Sequence, residues 1–475
     1  MSMGRAILST TLAFSLAACG GGGTSSGGSG SGVGGGTGTA ADCSLGARQD
    51  WVLSQINEWY LFPSLLNTSA NKANYSTVQA YIDAVTAPSA SRFGADRRYT
   101  YITSIEEENQ LISSGSNAGF GVRLTYDTTA RRVFIVEAFE SAPAFAAGID
   151  RGTEILAIDG QTVASIMQAG GQFPEAAVSN ALGPADPGVT RTLTIRQPDN
   201  SQLDVTVTKA EYSLDPVSDR YGAKIIDNGG TKVGYINLRT FIIQDAGPQL
   251  RTAFGTFRAQ GIEQVILDFR YNGGGLVSIA ELLGDLMGAD KDGQVFSRTL
   301  FRDSKSDNNS TRLFEAQSQS IPAMKIAVIG TEGTASASEL VANAFIPFLG
   351  NNIALVGTDT YGKPVGQIAR DRSSCDDRLR VVAFRSVNAD NGGDYYSGLA
   401  SVMPRTCAAA DDISKPLGDP AEASVATALD FLAGRACTAI GAAAKDGTVQ
   451  AQLPRRTLMR PDQPSAAQLR IPGLF

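Results

Sequence analysis

The sequence predicts a multidomain α/β protein. Its 475 residues are enough for two to four domains, and a hydrophobic content of 43% is ample for a packed core. From residue 221 onward, short apolar runs alternate with helix-spaced segments, which is typical of a sheet covered by helices. Residues 115–208 instead contain short strands, and residues 42–112 have helical spacing. We therefore expect a helical N-terminal domain, a β-rich domain with short helices and an α/β core.

The N-terminal domain, residues 42–112, is predicted to be mainly helical. Two sets of apolar residues recur at helical spacing and predict amphipathic helices. No side chain in this part suggests chemistry, so we interpret it as a packing or cap domain. The two sets are Trp51, Val52, Ile56, Trp59, Tyr60 and Leu61, and Val78, Tyr81, Ile82 and Val85.

The α/β core is predicted over residues 213–445. A glycine-rich turn, Tyr271–Gly275, follows one of its strands and presents backbone N–H groups to an anion. An ordinary tight turn is the alternative. The predicted strands are 232–238, 264–270, 326–329 and 353–356, and the predicted helices are 249–259 and 277–287.

A strand-to-helix turn in this core holds two candidate nucleophiles. The apolar run Ile326–Ile329 ends in a turn rich in glycine and threonine, and a helix-spaced segment follows. Ser336 and Ser338 lie at this turn, beside unpaired backbone N–H groups and the positive end of the helix dipole. Such a position suits a serine that must form an oxyanion, so both serines are candidates.

The absence of histidine from the whole sequence limits the choice of a general base. Ser-His-Asp and Cys-His devices are excluded, and so are zinc sites built on imidazole. A lysine can serve only if burial lowers its pKa from about 10.4 to about 7 to 8. Lys363 follows an apolar strand and is flanked by Gly362 and Pro364, so it is the lysine best placed for such burial.

Composition also limits the partners. The net charge of −7 argues against a nucleic-acid partner, because binding to phosphates needs a basic surface. No motif implies a metal or an organic cofactor.

The first residues have the pattern of an export signal. Residues 1–18 combine an early arginine with an apolar stretch that is too short to span a bilayer. Leu16-Ala-Ala-Cys19 resembles the lipobox of bacterial lipoproteins, which implies lipidation of Cys19; an ordinary signal peptide is the alternative. Gly20 implies, by the same resemblance, an outer-membrane lipoprotein facing the periplasm. Residues 19–41, rich in Gly, Ser and Thr, predict a flexible tether.

Four further cysteines predict two disulfides, since even numbers in exported chains are typical of disulfide pairing. Of the three pairings we favour Cys375 with Cys407, which would close a Gly- and Asp-rich excursion. The second pair would then be Cys43 with Cys437, which would tie the start of the chain to a late helix. Four free thiols are the alternative.

Residues 113–212 resemble a PDZ domain. The resemblance rests on Gly119-Phe-Gly-Val122, on the phrase SAPAFAAGIDRGTEILAIDGQTV that begins at Ser141, and on a predicted helix at 163–169. It implies that a peptide adds a strand to the sheet edge while a backbone loop caps its C-terminus. A PDZ-like spacer that binds nothing is the alternative. The loop N–H groups belong to Gly119, Phe120, Gly121 and Val122.

Three motifs behind this domain resemble, in their order, the C-terminal processing (tail-specific) serine peptidase family. They are Asp268-Phe-Arg-Tyr-Asn-Gly-Gly-Gly275, Thr334-Ala-Ser-Ala-Ser-Glu339 and Tyr361-Gly-Lys-Pro-Val-Gly-Gln367. The resemblance covers about residues 110–445 and implies a crotonase-like α/β core. Pro364 departs from the family's pattern, which usually has glycine or a small residue after the lysine.

The family resemblance implies a role for each matched residue. Ser336 is the expected nucleophile, Lys363 the expected base and Gln367 the residue that orients the base. Ser338 is then the second candidate for the nucleophile. The oxyanion hole is expected to use the N–H of Ala337 and one N–H of the glycine run, from Gly274 or from Gly275.

Residues 446–475 are rich in proline and arginine and predict an extended tail, which either lies across the body or is disordered. The whole sequence thus predicts a lipid-anchored serine endopeptidase of the bacterial cell envelope. Its substrates would be exported proteins with apolar C-terminal segments, selected by the PDZ domain. The rivals are a non-catalytic PDZ scaffold for envelope proteins, and acyl-enzyme chemistry on an ester or a cell-wall peptide.

Overall fold

The computed structural model of the chain describes residues 42–441, 456–462 and 464–475. The predicted signal peptide, the lipidation site Cys19 and the tether 19–41 lie outside the described residues. No helix within the described ranges has the length and apolar character needed to cross a membrane.

The N-terminal part contains both helices predicted from apolar spacing, and also a strand that the spacing did not reveal. Ser44 and Thr77 begin the two longer helices, since their side chains accept hydrogen bonds from the backbone N–H groups of Ala47 and Ala80. The elements are α1 (Leu45–Trp59), α2 (Val78–Phe93), β1 (Tyr101–Ser104) and α3 (Ile105–Ser114).

The next part is rich in strands, as predicted. Its larger sheet joins β3, β4, β5, β7 and β8 in antiparallel order, β6 pairs with β5, and β2 pairs with β9. The elements are β2 (Ser116–Gly119), β3 (Val122–Asp127), β4 (Arg132–Ala138), α4 (Pro143–Ala146), β5 (Glu154–Ile158), β6 (Gln161–Thr162), α5 (Val163–Ala169), α6 (Pro174–Leu182), β7 (Thr190–Arg196), β8 (Gln202–Thr208) and β9 (Ala210–Ser213).

One hydrophobic core holds this β-rich part together. Inward-facing residues of the strands meet the apolar faces of α5 and α6, as expected where alternate residues of a strand point to one face. The helix at 163–169 that the sequence predicted is confirmed as α5. The buried contacts include Val133, Ile135, Leu193 and Ile195 from strands, and Ile166, Met167, Val178 and Leu182 from helices.

The α/β core is a six-stranded sheet in the order β10-β11-β12-β15-β16-β19, parallel except for the edge strand β10. Helices α7, α8 and α9 cover one face and α10 covers the other. The elements are β10 (Ala223–Asn228), β11 (Thr231–Asn237), α7 (Ala246–Ala259), β12 (Gln264–Asp268), α8 (Val277–Met287), β13 (Val295–Phe301), β14 (Ser310–Leu313), β15 (Lys325–Gly330), α9 (Ala337–Leu349), β16 (Ile353–Gly357), β17 (Val365–Arg372), β18 (Asp377–Val387), β19 (Arg405–Ala408) and α10 (Ala423–Leu432).

Both faces of the parallel sheet are buried, which explains why its strands are almost continuously apolar in sequence. On β12, Val265 and Leu267 join the cluster under α7, α8 and α9, whereas Ile266 joins the cluster under α10. The predicted strands and helices of the core are thereby confirmed, with shifts of up to three residues at their ends.

A second, antiparallel sheet joins the N-terminal helices to the core. Its order is β1-β18-β13-β14, and β17 also pairs with β18. The apolar faces of α1 and α2 pack on this sheet, so residues 42–112 share a core with the strands that follow Lys363. The buried residues include Val52, Ile56, Val78 and Ile82 from the helices, and Val365, Leu379, Val381 and Val382 from the strands.

The described end of the chain lies across the body and is only partly extended. Strand β20 (Thr457–Leu458) pairs with β3, and a short helix, α11 (Ala466–Arg470), follows it. Ser465 and Gln468 form a capping box that begins α11. The sequence Ser465-Ala-Ala-Gln468 could have predicted this start, but the surrounding proline and arginine residues favoured an extended interpretation.

The predicted disulfide pairing is wrong. Cys43 bonds to Cys375 and Cys407 bonds to Cys437, with Cα–Cα distances of 5.6 and 5.3 Å. Cys375 lies at the β17–β18 turn next to the start of α1, where the Arg372 guanidinium donates to the Asp42 carbonyl at 2.6 Å. Cys407 lies on β19, and the Ala408 N–H donates to the Thr438 carbonyl at 2.7 Å, which brings Cys437 alongside.

Peptide mapping without reduction is expected to recover Cys43–Cys375 and Cys407–Cys437 as linked peptides by mass spectrometry. Replacing the first pair by serines is expected to lower the free energy of unfolding by about 5 kcal/mol, because the link closes a loop of 332 residues and no longer restricts the unfolded chain. Urea titration measures this change, and Ser373→Ala at the neighbouring exposed position serves as the control. Recovery of a Cys375–Cys407 peptide would contradict the structure.

Candidate active site

Three turns that the sequence singled out meet at one edge of the parallel sheet. The glycine-rich turn follows β12, the serine-rich turn follows β15, and the segment that carries Lys363 follows β16. Because the carboxyl ends of neighbouring parallel strands lie at the same edge, their loops converge there. This edge is therefore the candidate active site.

Ser336 is the residue immediately before α9, and its backbone has φ 57° and ψ −113°. Its side chain is partly exposed and lines a cavity of about 90 Å³ that also contains Lys363 and Gln367. The helix begins directly after it, so backbone N–H groups of the first turn lie beside its hydroxyl. These features meet the requirements that the sequence analysis set for a nucleophile.

Ser338 differs from Ser336 in both exposure and hydrogen bonding. It is fully buried, and its hydroxyl donates to the Asn272 carbonyl at 3.0 Å. A hydroxyl that is buried and already paired anchors the neighbouring turn and is not available for attack. The geometry therefore favours Ser336 of the two candidates.

Lys363 lies in a partly buried position between β16 and β17. Its amine donates to Gln367 Oε1 at 2.9 Å and lies 4.7 Å from the centre of the Tyr99 ring. Desolvation by burial, followed by the Arg470 guanidinium nearby, lowers the pKa of Lys363 from 10.5 to about 7. A large fraction of this amine is thus uncharged near neutral pH.

The Lys363 amine and the Ser336 hydroxyl line the same cavity, but no hydrogen bond joins these two described side chains. The amine donates instead to Gln367, whose own amide donates to the Tyr99 carbonyl. Gln367 therefore fixes the direction in which the amine points.

A buried carboxylate, Glu339, connects the serine turn to the lysine segment. Its oxygens accept from the N–H groups of Ser336 and Lys363 at 2.8 Å each, from the N–H of Gly362 at 2.7 Å and from the Thr360 hydroxyl at 2.6 Å. Burial raises the pKa of Glu339, and these hydrogen bonds oppose that rise. Glu339 closes the motif Thr334–Glu339, and its contacts with Gly362 and Lys363 cannot be read from the spacing of that motif.

The glycine run approaches Ser336 so closely that a side chain would not fit. A Cβ on Gly274, whose φ is +98°, would lie 2.8 Å from Ser336 Cβ and 2.9 Å from the Ala337 nitrogen. The Gly274 N–H itself donates to Asn272 Oδ1 at 3.0 Å, whereas Gly275 lines the cavity beside Ser336. Of the two predicted partners for Ala337, Gly275 is thus the one beside open space.

The N-terminal part contributes to the site, which the sequence analysis did not foresee. The Arg97 guanidinium donates to the Tyr361 and Gly362 carbonyls, directly before Lys363. The Asp96 carboxylate is fully buried and accepts the Tyr99 N–H at 2.6 Å, so Tyr99 is held where its ring and carbonyl meet Lys363 and Gln367. Only contacts between distant segments reveal these roles.

The predicted carboxylate loop, Gly119–Val122, lies at the start of β3. The N–H groups of Gly121 and Val122 both donate to the main-chain oxygen of Phe475, at 2.8 and 3.1 Å. The Phe120 ring is buried, with the Lys209 amine 4.6 Å from its centre. The loop thus receives a main-chain oxygen through two of the four predicted N–H groups.

Arg123 of β3 links the β-rich part to the glycine-rich turn. It is fully buried, and its guanidinium donates to the carbonyl of Tyr271 and, at 2.9 Å, to that of Arg239. The strand that follows the carboxylate loop is therefore in direct contact with the turn that precedes the glycine run.

Replacing Glu339 by glutamine is expected to destabilise the protein by about 3 kcal/mol, because at either oxygen position the new amide group faces at least one backbone N–H, of Gly362 or of Ser336 and Lys363. Urea titration measures the change. The exposed Glu263 provides the control, and Glu263→Gln is expected to change the free energy of unfolding by less than about 0.5 kcal/mol. Equal stabilities of the two variants would show that Glu339 does not hold the site together.

Comparison with known proteins gives a consistent result. The profile of Peptidase family S41 matches residues 232–393, which include all three motifs. The carboxyl-terminal-processing protease of Picosynechococcus sp. is 29% identical over 274 residues, covering 56% of this chain and 60% of the relative. The chloroplastic carboxyl-terminal-processing peptidase 2 of Arabidopsis thaliana is 31% identical over 265 residues, covering 53% of this chain and 46% of the relative.

The described fold also matches a solved structure. The crystal structure of an S41 protease from Bacteroides fragilis superposes with a TM-score of 0.63 at 23% identity, covering 81% of this chain and 97% of that chain. The alignments with the relatives described above span about half to three fifths of those relatives' length. Residues 232–393, which carry all three motifs, are thus similar to peptidase family S41, and the relatives named above are carboxyl-terminal-processing proteases.

Proposed function

We propose that this chain is a serine endopeptidase in which Ser336 is the nucleophile and Lys363 the general base. The observation that carries the proposal is the Lys363 amine, which shares a cavity with Ser336 and whose pKa is lowered to about 7. In a chain without histidine, such an amine is a group able to accept a proton near neutral pH.

The reaction begins when the neutral amine turns from Gln367 towards Ser336 and takes the hydroxyl proton. The serine oxygen attacks the scissile carbonyl, and the N–H groups of Ala337 and Gly275 or Gly274 stabilise the oxyanion. The protonated amine then gives its proton to the leaving amine. Water, activated by the neutral Lys363, hydrolyses the acyl-enzyme and restores the serine.

Substrate selection is assigned to residues 113–212 acting as a PDZ domain. A substrate C-terminus would add a strand to β3 and be capped by the loop Gly119–Val122. The contact between Arg123 and the Tyr271 carbonyl supports a link between this groove and the site, because it connects β3 with the glycine-rich turn. Apolar C-terminal segments fit the buried apolar surroundings of the loop.

The proposed location is the periplasmic side of a bacterial outer membrane, with the protein anchored through Cys19. The lipobox-like Leu16–Cys19 supports it, and so do the two disulfides, which form in oxidising compartments. The relatives named above are carboxyl-terminal-processing proteases. By analogy, the substrates proposed for this chain are exported proteins that are cleaved in their C-terminal parts.

Replacing Ser336 or Lys363 by alanine is expected to lower the rate of cleavage of an unfolded protein with an apolar C-terminus at least 1,000-fold, because each change removes one partner of the proton transfer. Gel electrophoresis and mass spectrometry of the products measure cleavage. Ser338→Ala is the matched control. It is expected to retain cleavage, because the Ser338 hydroxyl donates to the Asn272 carbonyl and is not available for attack.

Two outcomes would contradict this assignment. Undiminished cleavage by Ser336→Ala would exclude it as the nucleophile. Binding of C-terminal peptides without cleavage by the unaltered chain would favour the non-catalytic scaffold instead.

The pH dependence of kcat/KM is expected to have an ascending limb centred near pH 7. The base works only when Lys363 is neutral, so activity is lost as pH falls below its pKa of about 7 and the amine becomes protonated. Initial rates between pH 5 and 9, with the folded state checked by circular dichroism, measure the limb. A limb centred near pH 10, the ordinary range for lysine, would contradict a desolvated base.

A further inference from the structure

The last three residues of the chain lie along β3 as an added strand. The Leu124 N–H donates to the Gly473 carbonyl at 2.8 Å, and the Phe475 N–H donates to the Val122 carbonyl at 2.9 Å. Leu474 lies opposite Arg123 in antiparallel register. Together with β20, which pairs with the other end of β3, this segment occupies the whole edge of that strand. This is the edge at which a peptide would be added.

The main-chain oxygen of Phe475 occupies the carboxylate loop. It accepts from the N–H groups of Gly121 and Val122, as the end of a bound peptide would. The fit is close, since a Cβ on Gly119 would lie 3.0 Å from the Phe475 carbonyl carbon. The loop therefore has no room for a substrate while Phe475 is in place.

The side chains of the same segment fill two apolar pockets. Phe475 is 3% exposed and packs in the β-rich core that contains Phe120 and Met167. Leu474 is 2% exposed and packs in a separate cluster that contains Ile242. The groove is thus complementary to a peptide that ends in an aliphatic residue followed by an aromatic one.

Described residues between Leu469 and Pro472 cover the candidate active site. Leu469 and Arg470 line the cavity that contains Ser336 and Lys363. Pro472 and the Arg470 carbonyl lie against the glycine run, because a Cβ on Gly273 would be 2.8 Å from Pro472 Cδ and 3.1 Å from that carbonyl oxygen. An ion pair of 2.6 Å between Arg470 and Glu108 of α3 holds this cover.

We propose that residues 473–475 are a built-in occupant of the peptide groove, which competes with the C-terminal segments of substrates until it is displaced. Competition with substrates rests on the proposed peptidase function. Occupation of the groove by the chain's own residues does not depend on that function. The groove accordingly takes peptides that resemble this segment, with an aliphatic residue followed by an aromatic one.

Tethering sets the size of the effect. A segment held by a short linker has an effective concentration of about 1 mM, so for an intrinsic peptide Kd of about 0.1 mM it raises the apparent Kd about tenfold. Displacing the segment is therefore expected to tighten the binding of an added peptide about tenfold.

The test measures the binding of a fluorescein-labelled peptide, Arg-Ile-Pro-Gly-Leu-Phe with a free carboxylate, to the full chain carrying Ser336→Ala. This background removes cleavage, so a failure of the peptidase assignment and a failure of the present proposal give different results. Adding Phe475→Asp is expected to lower the apparent Kd about tenfold. Phe173→Asp makes the same change at a phenylalanine that is 65% exposed and is expected to leave the Kd unchanged.

Hydrogen exchange provides the second measurement. In Phe475→Asp the amides of Gly121, Val122 and Leu124 are expected to exchange at least tenfold faster, because they lose their acceptors in residues 473–475. The amides of β11 and β15 report on folding and are expected to stay protected. If they do not, a chain that ends at Pro472, which lacks only the residues in the groove, replaces Phe475→Asp in both measurements.

Three results would overturn the proposal. One is equal affinity of the peptide for the chains with and without Phe475→Asp. Another is equally tight binding of a peptide that ends in Asp. The third is exchange protection in the carboxylate loop that rises with protein concentration, since the occupant would then come from a second copy.

Discussion

Glu339 is buried between two segments that are separated in sequence, and the geometry of the site depends on its hydrogen bonds. It accepts from the N–H groups of Ser336 and Lys363, so a single carboxylate fixes the positions of the proposed nucleophile and base relative to each other. A buried carboxylate is tolerated because four donors replace its water. The strands β15 and β16 bring the two turns together, and Glu339 sets their final spacing.

The environment of Lys363 is assembled from three separate parts of the chain. Tyr99 of the N-terminal part supplies a ring beside the amine, Gln367 of β17 supplies its hydrogen-bond acceptor, and Arg470 of the last segment contributes a positive charge nearby. Burial and a like charge both disfavour the protonated amine. The parts that the sequence suggested as separate domains therefore act together on one pKa.

Patterns within short stretches of sequence predicted most of the core. Strand β12 and helix α8 were identifiable because their buried apolar residues follow a local pattern in the sequence. In β12 this pattern is a continuous apolar run, and in α8 it is helical spacing. The absence of histidine favoured a lysine as the general base, and Lys363 was the lysine best placed for burial. The strand-to-helix turn identified Ser336 and Ser338 as candidate nucleophiles. The choice between Ser336 and Ser338 required the hydrogen bond to Asn272, which no spacing discloses.

What the sequence could not predict depends on contacts between distant segments. The disulfide pairing follows from the neighbouring positions of β19 and the chain after α10, and from α1 lying beside the β17–β18 turn. The roles of Asp96 and Arg97 follow from the packing of the N-terminal part against the lysine segment. The placement of Phe475 in the loop at Gly121 likewise joins residues more than three hundred positions apart.

The backbone of Ser336 has a further consequence for the stability of the fold. A φ of 57° in a residue other than glycine costs about 1 to 3 kcal/mol, which is a substantial fraction of the 5 to 15 kcal/mol by which folded domains are stable. Glycine would adopt this conformation without strain but would remove the hydroxyl. A serine at this position therefore keeps its hydroxyl group at the expense of conformational stability.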